Sequence, residues 1–131
     1  MNFKFYFSII FCILFAPSLG HKCYHCARVD NAPDGFNHDT CGDFSGAARM
    51  DCGDASCARI TQTYNYEFNG DVISYTEELH GCSTVIDTFL HEGDVCSGHK
   101  NQCFKHKDVS INDHSTAKFT DIEICCCDSN L

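Results

Sequence analysis

Cysteine is the residue type with the most chemistry to offer in this sequence. There are 12 among 131 residues, and 11 of them follow residue 20: Cys23, Cys26, Cys41, Cys52, Cys57, Cys82, Cys96, Cys103, Cys125, Cys126 and Cys127. Thiols at such density make disulfides, ligate zinc or exchange with other thiols. The pair Cys23-x-x-Cys26 has the spacing used by the last two chemistries. A redox site of that kind needs a βαβ context, which the sequence does not offer, and in an exported chain such thiols become structural bridges. Histidine is the second reactive set, with eight residues. Their separations, as between His21 and His25 or His99 and His106, match no compact ligand motif. Solvated side chains are therefore expected, with no metal and no cofactor.

Export is expected from the first 20 residues. Lys4 precedes an apolar run from Phe5 to Ala16, then Pro17, and Ser18 and Gly20 place small residues where signal peptidase cuts. The run is short of the ~20 apolar residues that span a bilayer. The reading is thus a signal peptide over residues 1–20 and one small domain over 21–131. That domain carries 18 acidic against 8 basic residues. Nucleic acid and anionic lipid are poor partners for such a surface. Leu, Ile, Val and Phe make up only 20 of its 111 residues, a composition that would leave most chains disordered. Cross-links must replace the missing core, and at roughly 2–4 kcal/mol each, four or five of them rival the stability of a whole small domain.

The elements that hold these cysteines can be read from the segment Ala58 to Leu79. Thr, Tyr, Ile and Val cluster there on both sides of Asn69-Gly70, the dipeptide favoured in two-residue type I′ turns. With Asn69 and Gly70 at the turn, one face carries the pairs Tyr66 with Ile73, Tyr64 with Tyr75 and Ile60 with Leu79. The other carries Asn65 with Ser74, Thr63 with Thr76 and Thr61 with Glu78. A slip by one residue would mix the faces. The same register sets Cys57 opposite Cys82. No amphipathic helix is expected anywhere. Two further excursions flank the hairpin: Cys26 to Cys52, with a turn at Pro33-Asp34-Gly35, and Cys96 to Cys125, ending in a strand from Phe119. Alternation along that strand sends Cys125 and Cys127 to one face and Cys126 to the other, so these neighbours are expected to bond to different partners.

A Cys-x-x-Cys pair after the leader, cysteines at the roots of successive hairpins and a late Cys-Cys pair together resemble the Ly6/uPAR three-finger family across residues 21–131. The resemblance implies a small all-β, disulfide-rich, snake-toxin-like fold with three antiparallel β-fingers leaving a cysteine knot. It implies bridges from Cys23 to Cys57, Cys26 to Cys41 and Cys52 to Cys82. A fourth would join Cys96 or Cys103 to Cys125 or Cys126, and the surplus pair could make an additional bridge in the third finger. The family signature ends Cys-Cys, four residues, Cys-Asn, and the resemblance implies that last Cys-Asn beyond Leu131 as the partner of Cys127. Eleven is odd, so Cys127 is the thiol expected to be left over. Glycolipid anchoring, common in the family, would require the chain to continue past Leu131 into a hydrophobic tail.

The functional expectation is a non-enzymatic extracellular domain that modulates or adapts a cell-surface receptor, channel or adhesion protein, with no small-molecule substrate. Acidity favours a partner with a basic patch. Ile60, Leu79 and Tyr64 are assigned to packing, and Phe68, Asn69 and Asp71 at the hairpin tip to partner recognition. Two alternatives are of other classes. His38-Asp39-Thr40-Cys41 resembles part of the phospholipase A2 motif, implying a secreted hydrolase, although Phe36-Asn37 stands where that motif has paired cysteines and no glycine-rich calcium loop precedes it. The late cysteines also resemble activin-receptor ectodomains, which would require a membrane helix and kinase after Leu131.

Overall fold

The computed structural model describes residues 20, 22–33, 35–111 and 116–128. Apart from Gly20, the expected signal segment lies outside these residues, as do Asp34 of the expected turn and positions 129–131. The fold is small, mostly antiparallel β and rich in disulfides. Its centre is the hairpin of β5 (Cys57–Phe68) and β6 (Asp71–Cys82). Asn69 and Gly70 take φ of 52° and 84°, the two positive angles a type I′ turn requires and that glycine adopts without a steric penalty. Cys57 faces Cys82, Ile60 faces Leu79, Tyr64 faces Tyr75 and Tyr66 faces Ile73, so the register is the one expected from the face pattern. One pair interrupts the apolar face. Gln62, 1% exposed, faces Glu77 and donates to its carboxylate from Nε2 at 3.0 Å.

Other strands extend this hairpin on both sides. β2 (Cys26–Asp30) pairs with β6, and β3 (His38–Asp39) with β2. β9 (Lys118–Cys127) pairs with β5, and β7 (Gln102–Lys105) and β8 (Val109–Ser110) both pair with β9. β1 (Lys22–Tyr24) and β4 (Arg49–Asp51) form a separate two-stranded ribbon. Within β9 the register shifts: Thr61 faces Glu123 but Thr63 faces Thr120. Asp121 and Ile122 thus oppose Gln62 alone, a β-bulge with Asp121 at φ 49°. The extra residue changes the parity of the strand. Phe119, Ile122 and Ile124 consequently all face the side of β5 that carries Ile60 and Tyr64.

Contrary to the expectation of no helix, Ser83–Leu90 forms α1. Half of its eight residues, Thr84, Val85, Ile86 and Thr88, are β-branched, and its N-cap Cys82 makes no side-chain capping bond. Propensity and end signals are therefore weak, which is why the sequence hides it. Packing holds it instead. Ile86 and Leu90, one turn apart, are buried against Ala58, Ile60, Val95, Ile122 and Ile124. His91 closes the helix in the left-handed conformation, with its N–H on Thr88 O and that of Glu92 on Asp87 O.

Five disulfides join these elements: Cys23–Cys57, Cys26–Cys41, Cys52–Cys82, Cys96–Cys126 and Cys103–Cys125. Cys126 lies in the core, beside Ala58, whereas Cys125 lies beside Arg59 on the other face. Neighbouring cysteines thus reach opposite layers. Cys127, half-buried, faces Cys57 across the ladder.

Two of the histidines are not solvated as expected. His80 is 5% exposed, pairs with Glu78 through Nε2 and packs edge-on against Phe44 at 5.1 Å. His106 places Nε2 3.0 Å from Glu92 and Nδ1 2.7 Å from the Lys107 carbonyl. Sheet and loop close over both rings, which the histidine spacing alone does not reveal. His106 and Lys107 hold the Glu92 carboxyl below its ordinary range, the hydrogen bond from His106 contributing most.

Two expected outcomes follow from this packing. Replacing both Cys96 and Cys126 by alanine opens a loop with a sequence separation of 30 and should cost about 3–4 kcal/mol in urea unfolding, by the chain-entropy relation; a loss under about 1 kcal/mol would show that the bridge does not constrain the unfolded chain. Because folding depresses the Glu92 titration, its stabilisation is complete above the usual carboxylate range and is lost as pH falls through the depressed value. Wild-type protein should therefore be more stable than Glu92→Gln at about pH 6, and the two should converge towards about pH 3.

Candidate functional site

On its outer half, the apolar face of the central hairpin has no helix over it among the described residues. At the root, α1 covers Ile60, and further out Phe119 bridges the two zones, touching Phe89 at 5.2 Å and Tyr64 at 5.4 Å. Beyond this bridge Tyr64, Tyr66, Ile73 and Tyr75 form the floor of a groove of about 260 Å³ whose rim is Pro33 and Phe36 from the loop between β2 and β3. Strand alternation brings the four floor residues to one face, and β2, pairing with β6, brings the rim loop beside them. The rim is held in turn by a bond from Phe36 N to Pro33 O at 3.0 Å and by the Asn37 side chain, which bonds both N and O of Ala32.

Tyr64 and Tyr75 lie 4.7 Å apart between ring centroids, so Tyr64 contributes to packing as expected while also exposing an edge to the groove. Burial, and then the charges of Glu77 and Tyr64, push the Tyr75 phenol above its ordinary range. The ring keeps its proton, and with it a donor, at neutral pH. Phe36 is 69% exposed and Phe68 55%, and Phe68 stacks on Tyr66 at 6.3 Å. Val72, on the opposite face of the tip, is also exposed. The expected recognition residues Phe68, Asn69 and Asp71 are all exposed at this tip. The sequence reading missed Phe36 and Pro33, which become part of the site only because β2 lies against β6.

The His38–Cys41 segment is a strand end followed by a side-chain-capped turn. Asp39 accepts from Gly42 N at 2.8 Å and Cys41 N at 2.9 Å and pairs with Arg28 at 3.1 Å. The Gly42 and Cys41 donors and the Arg28 guanidinium hold its carboxyl below the ordinary range. Among the described residues, Cys103, Glu123 and Cys125 are the trio whose ligand atoms come within 4.8 Å of one another. Two of the three are joined in a disulfide, so their sulfurs are not available as thiolate ligands. No described helix is long and apolar enough to cross a membrane.

No family model, no characterised protein and no solved structure matches this chain.

Truncation should separate the roles of these rings. Phe36→Ser and Phe68→Ser should leave unfolding stability within about 0.5 kcal/mol of wild type, as for exposed positions. Tyr64→Ala, which removes contacts to both Tyr75 and Phe119, should cost about 3 kcal/mol. Equal losses at all three positions in a urea titration would mean that the groove is part of the core.

Proposed function

We propose that this chain is an exported, non-enzymatic protein-binding domain of the Ly6/uPAR three-finger kind, and that it holds its partner in the aromatic groove between the first loop and the central hairpin. The observation that carries this reading is the exposed set Phe36, Tyr66 and Phe68 beside Tyr64, Ile73 and Tyr75. Tyr and Phe offer large contact area with few rotatable bonds. Five bridges and a paired sheet hold them in place before binding, so little ordering entropy is lost on association. Glu67 and Asp71 flank the tip, and the whole chain carries a net charge of -9. The matching partner is an extracellular or membrane protein that presents an apolar side chain next to basic residues. Disulfide density is consistent with an oxidising, extracellular location.

A photo-reactive phenylalanine analogue at position 36 or 68, presented to intact cells, should capture a discrete surface protein, and the same analogue at exposed Lys100 should not. Phe36→Ser and Phe68→Ser should each weaken that binding by about 1–2 kcal/mol, the scale of an interface anchor. Indistinguishable capture at all three positions would remove the groove as the binding site. Calcium-dependent phospholipid hydrolysis abolished by His38→Ala would replace the binding reading by an enzymatic one.

A further inference from the structure

The two long edges of the central hairpin differ in their outer halves. On the β5 side, Asn65 faces Lys118 of β9, and the Thr116 hydroxyl reaches the Glu67 carbonyl at 3.5 Å. On the β6 side, pairing with β2 ends at Thr76, which faces Asp30. Alternation gives the direction of the backbone groups beyond that point. Ala27 turns its N–H and C=O to Thr40, so Arg28 and Asp30 turn theirs to Glu78 and Thr76. The register between β5 and β6 is unbroken, so Val72 and Ser74 turn their N–H and C=O groups out of the same edge. Among the described residues, no strand pairing and no loop bond reaches these four groups.

An open edge is normally blunted by lysine, proline or a bulge. Val72-Ile73-Ser74 carries none of these, and Val72 is 68% exposed. Donors and acceptors in this order match the ladder of an extended chain, and an antiparallel strand would exchange bonds with both Val72 and Ser74. Its residue opposite Ile73 falls in the closer, non-hydrogen-bonded position. That side chain shares the face on which Ile73 and Tyr75 form the groove floor and Pro33 and Phe36 the rim. The residues on either side of it turn to the opposite face, where Glu67 lies across from Val72. Basic side chains suit that position, and the net charge of -9 disfavours a second copy of this chain as the occupant.

We propose that an extended segment of the protein partner adds to this edge as an antiparallel strand, with an apolar residue opposite Ile73 and basic residues opposite Val72 and Ser74. The inference deepens the binding reading above and rests on it. The probe is the peptide acetyl-Thr-Arg-Val-Arg-Thr-amide, titrated into uniformly labelled, oxidised protein, with a Kd on the order of millimolar for so short a ligand. At four-fifths occupancy, hydrogen exchange at the Val72 and Ser74 amides should slow about fivefold by mass action. The Ile73 amide, which turns towards β5, should change little. A nuclear Overhauser contact between the Hα atoms of the peptide valine and Ile73 should appear. N-methylation of both peptide arginines, whose N–H groups would face the edge, should weaken binding about tenfold or more, each lost bond being worth about fivefold. N-methylation of the valine, whose N–H faces away, should change it less than about twofold.

Equal affinities for the two methylated peptides would overturn the proposal and leave docking by side chains alone. Unchanged exchange at Val72 and Ser74 in the saturated complex would overturn it as well. Slowing of those two amides with rising protein concentration and no peptide would overturn it in favour of a second copy. Val72→Pro, at a position whose lost N–H faces solvent, should weaken peptide binding about tenfold, and wild-type affinity in that variant would again overturn the proposal. Should the variant fail to fold, the contrast between the methylated peptides in wild-type protein decides alone. The peptides read the edge and capture at positions 36 and 68 reads the groove, so the two failures are distinguishable.

Discussion

Everything in this molecule is organised by the root of one hairpin, where Cys57 and Cys82 face each other across β5 and β6 yet do not bond to each other. Each reaches outward, Cys57 to Cys23 and Cys82 to Cys52. A bond between the two would only have closed a hairpin that its turn already closes. Bonded outward, they fix the β1–β4 ribbon against the central sheet and give a short chain long-range constraints that its few aliphatic residues do not supply. Cys26–Cys41 and Cys103–Cys125 then close smaller loops on the two sides of the sheet, and Cys96–Cys126 ties the loop after α1 into the core.

That division of labour explains how so small a domain can leave aromatic rings on its surface. The buried core is compact, built largely on Ile60, Ile86, Ile122 and Ile124, and it sits at the root beneath α1. The bridges are concentrated at the same end, where Cys57, Cys82, Cys125 and Cys126 lie at or near the root ends of β5, β6 and β9. The outer half of the hairpin is left to be stabilised by its own ladder and by cross-strand ring pairs such as Tyr64 and Tyr75. Rings that the fold does not need to bury there are available for recognition. The proposed groove uses one product of this arrangement, an open sheet face far from the root.

Much of this was legible in the residues. Asn69-Gly70 dictates the turn, and from the turn the face of every residue from Cys57 to Cys82 follows. The opposite fates of Cys125 and Cys126 follow from strand alternation alone. Other features were not legible. Phe119 reaches Tyr64 only because the bulge at Asp121 reverses the parity of β9, and nothing in the local pattern marks that residue as bulged. The β-branched composition of α1 argued against a helix, and its spacing of Ile86 and Leu90 is too short a signal to outweigh it. His80 could have been suspected, because Glu78 lies two residues away on the same strand and so on the same face. His106 could not, since Glu92 is 14 positions distant.

The sequence by itself determined the central hairpin with its register, the reliance on sulfur cross-links and the acidic surface, because these rest on local geometry, on composition and on alternation with a period of two. Tertiary structure alone decided which loop flanks the aromatic face, where the helix forms and which carboxylates meet His80 and His106. Those outcomes depend on strand order and on packing between segments far apart in the chain, and no local pattern of residues encodes such neighbours.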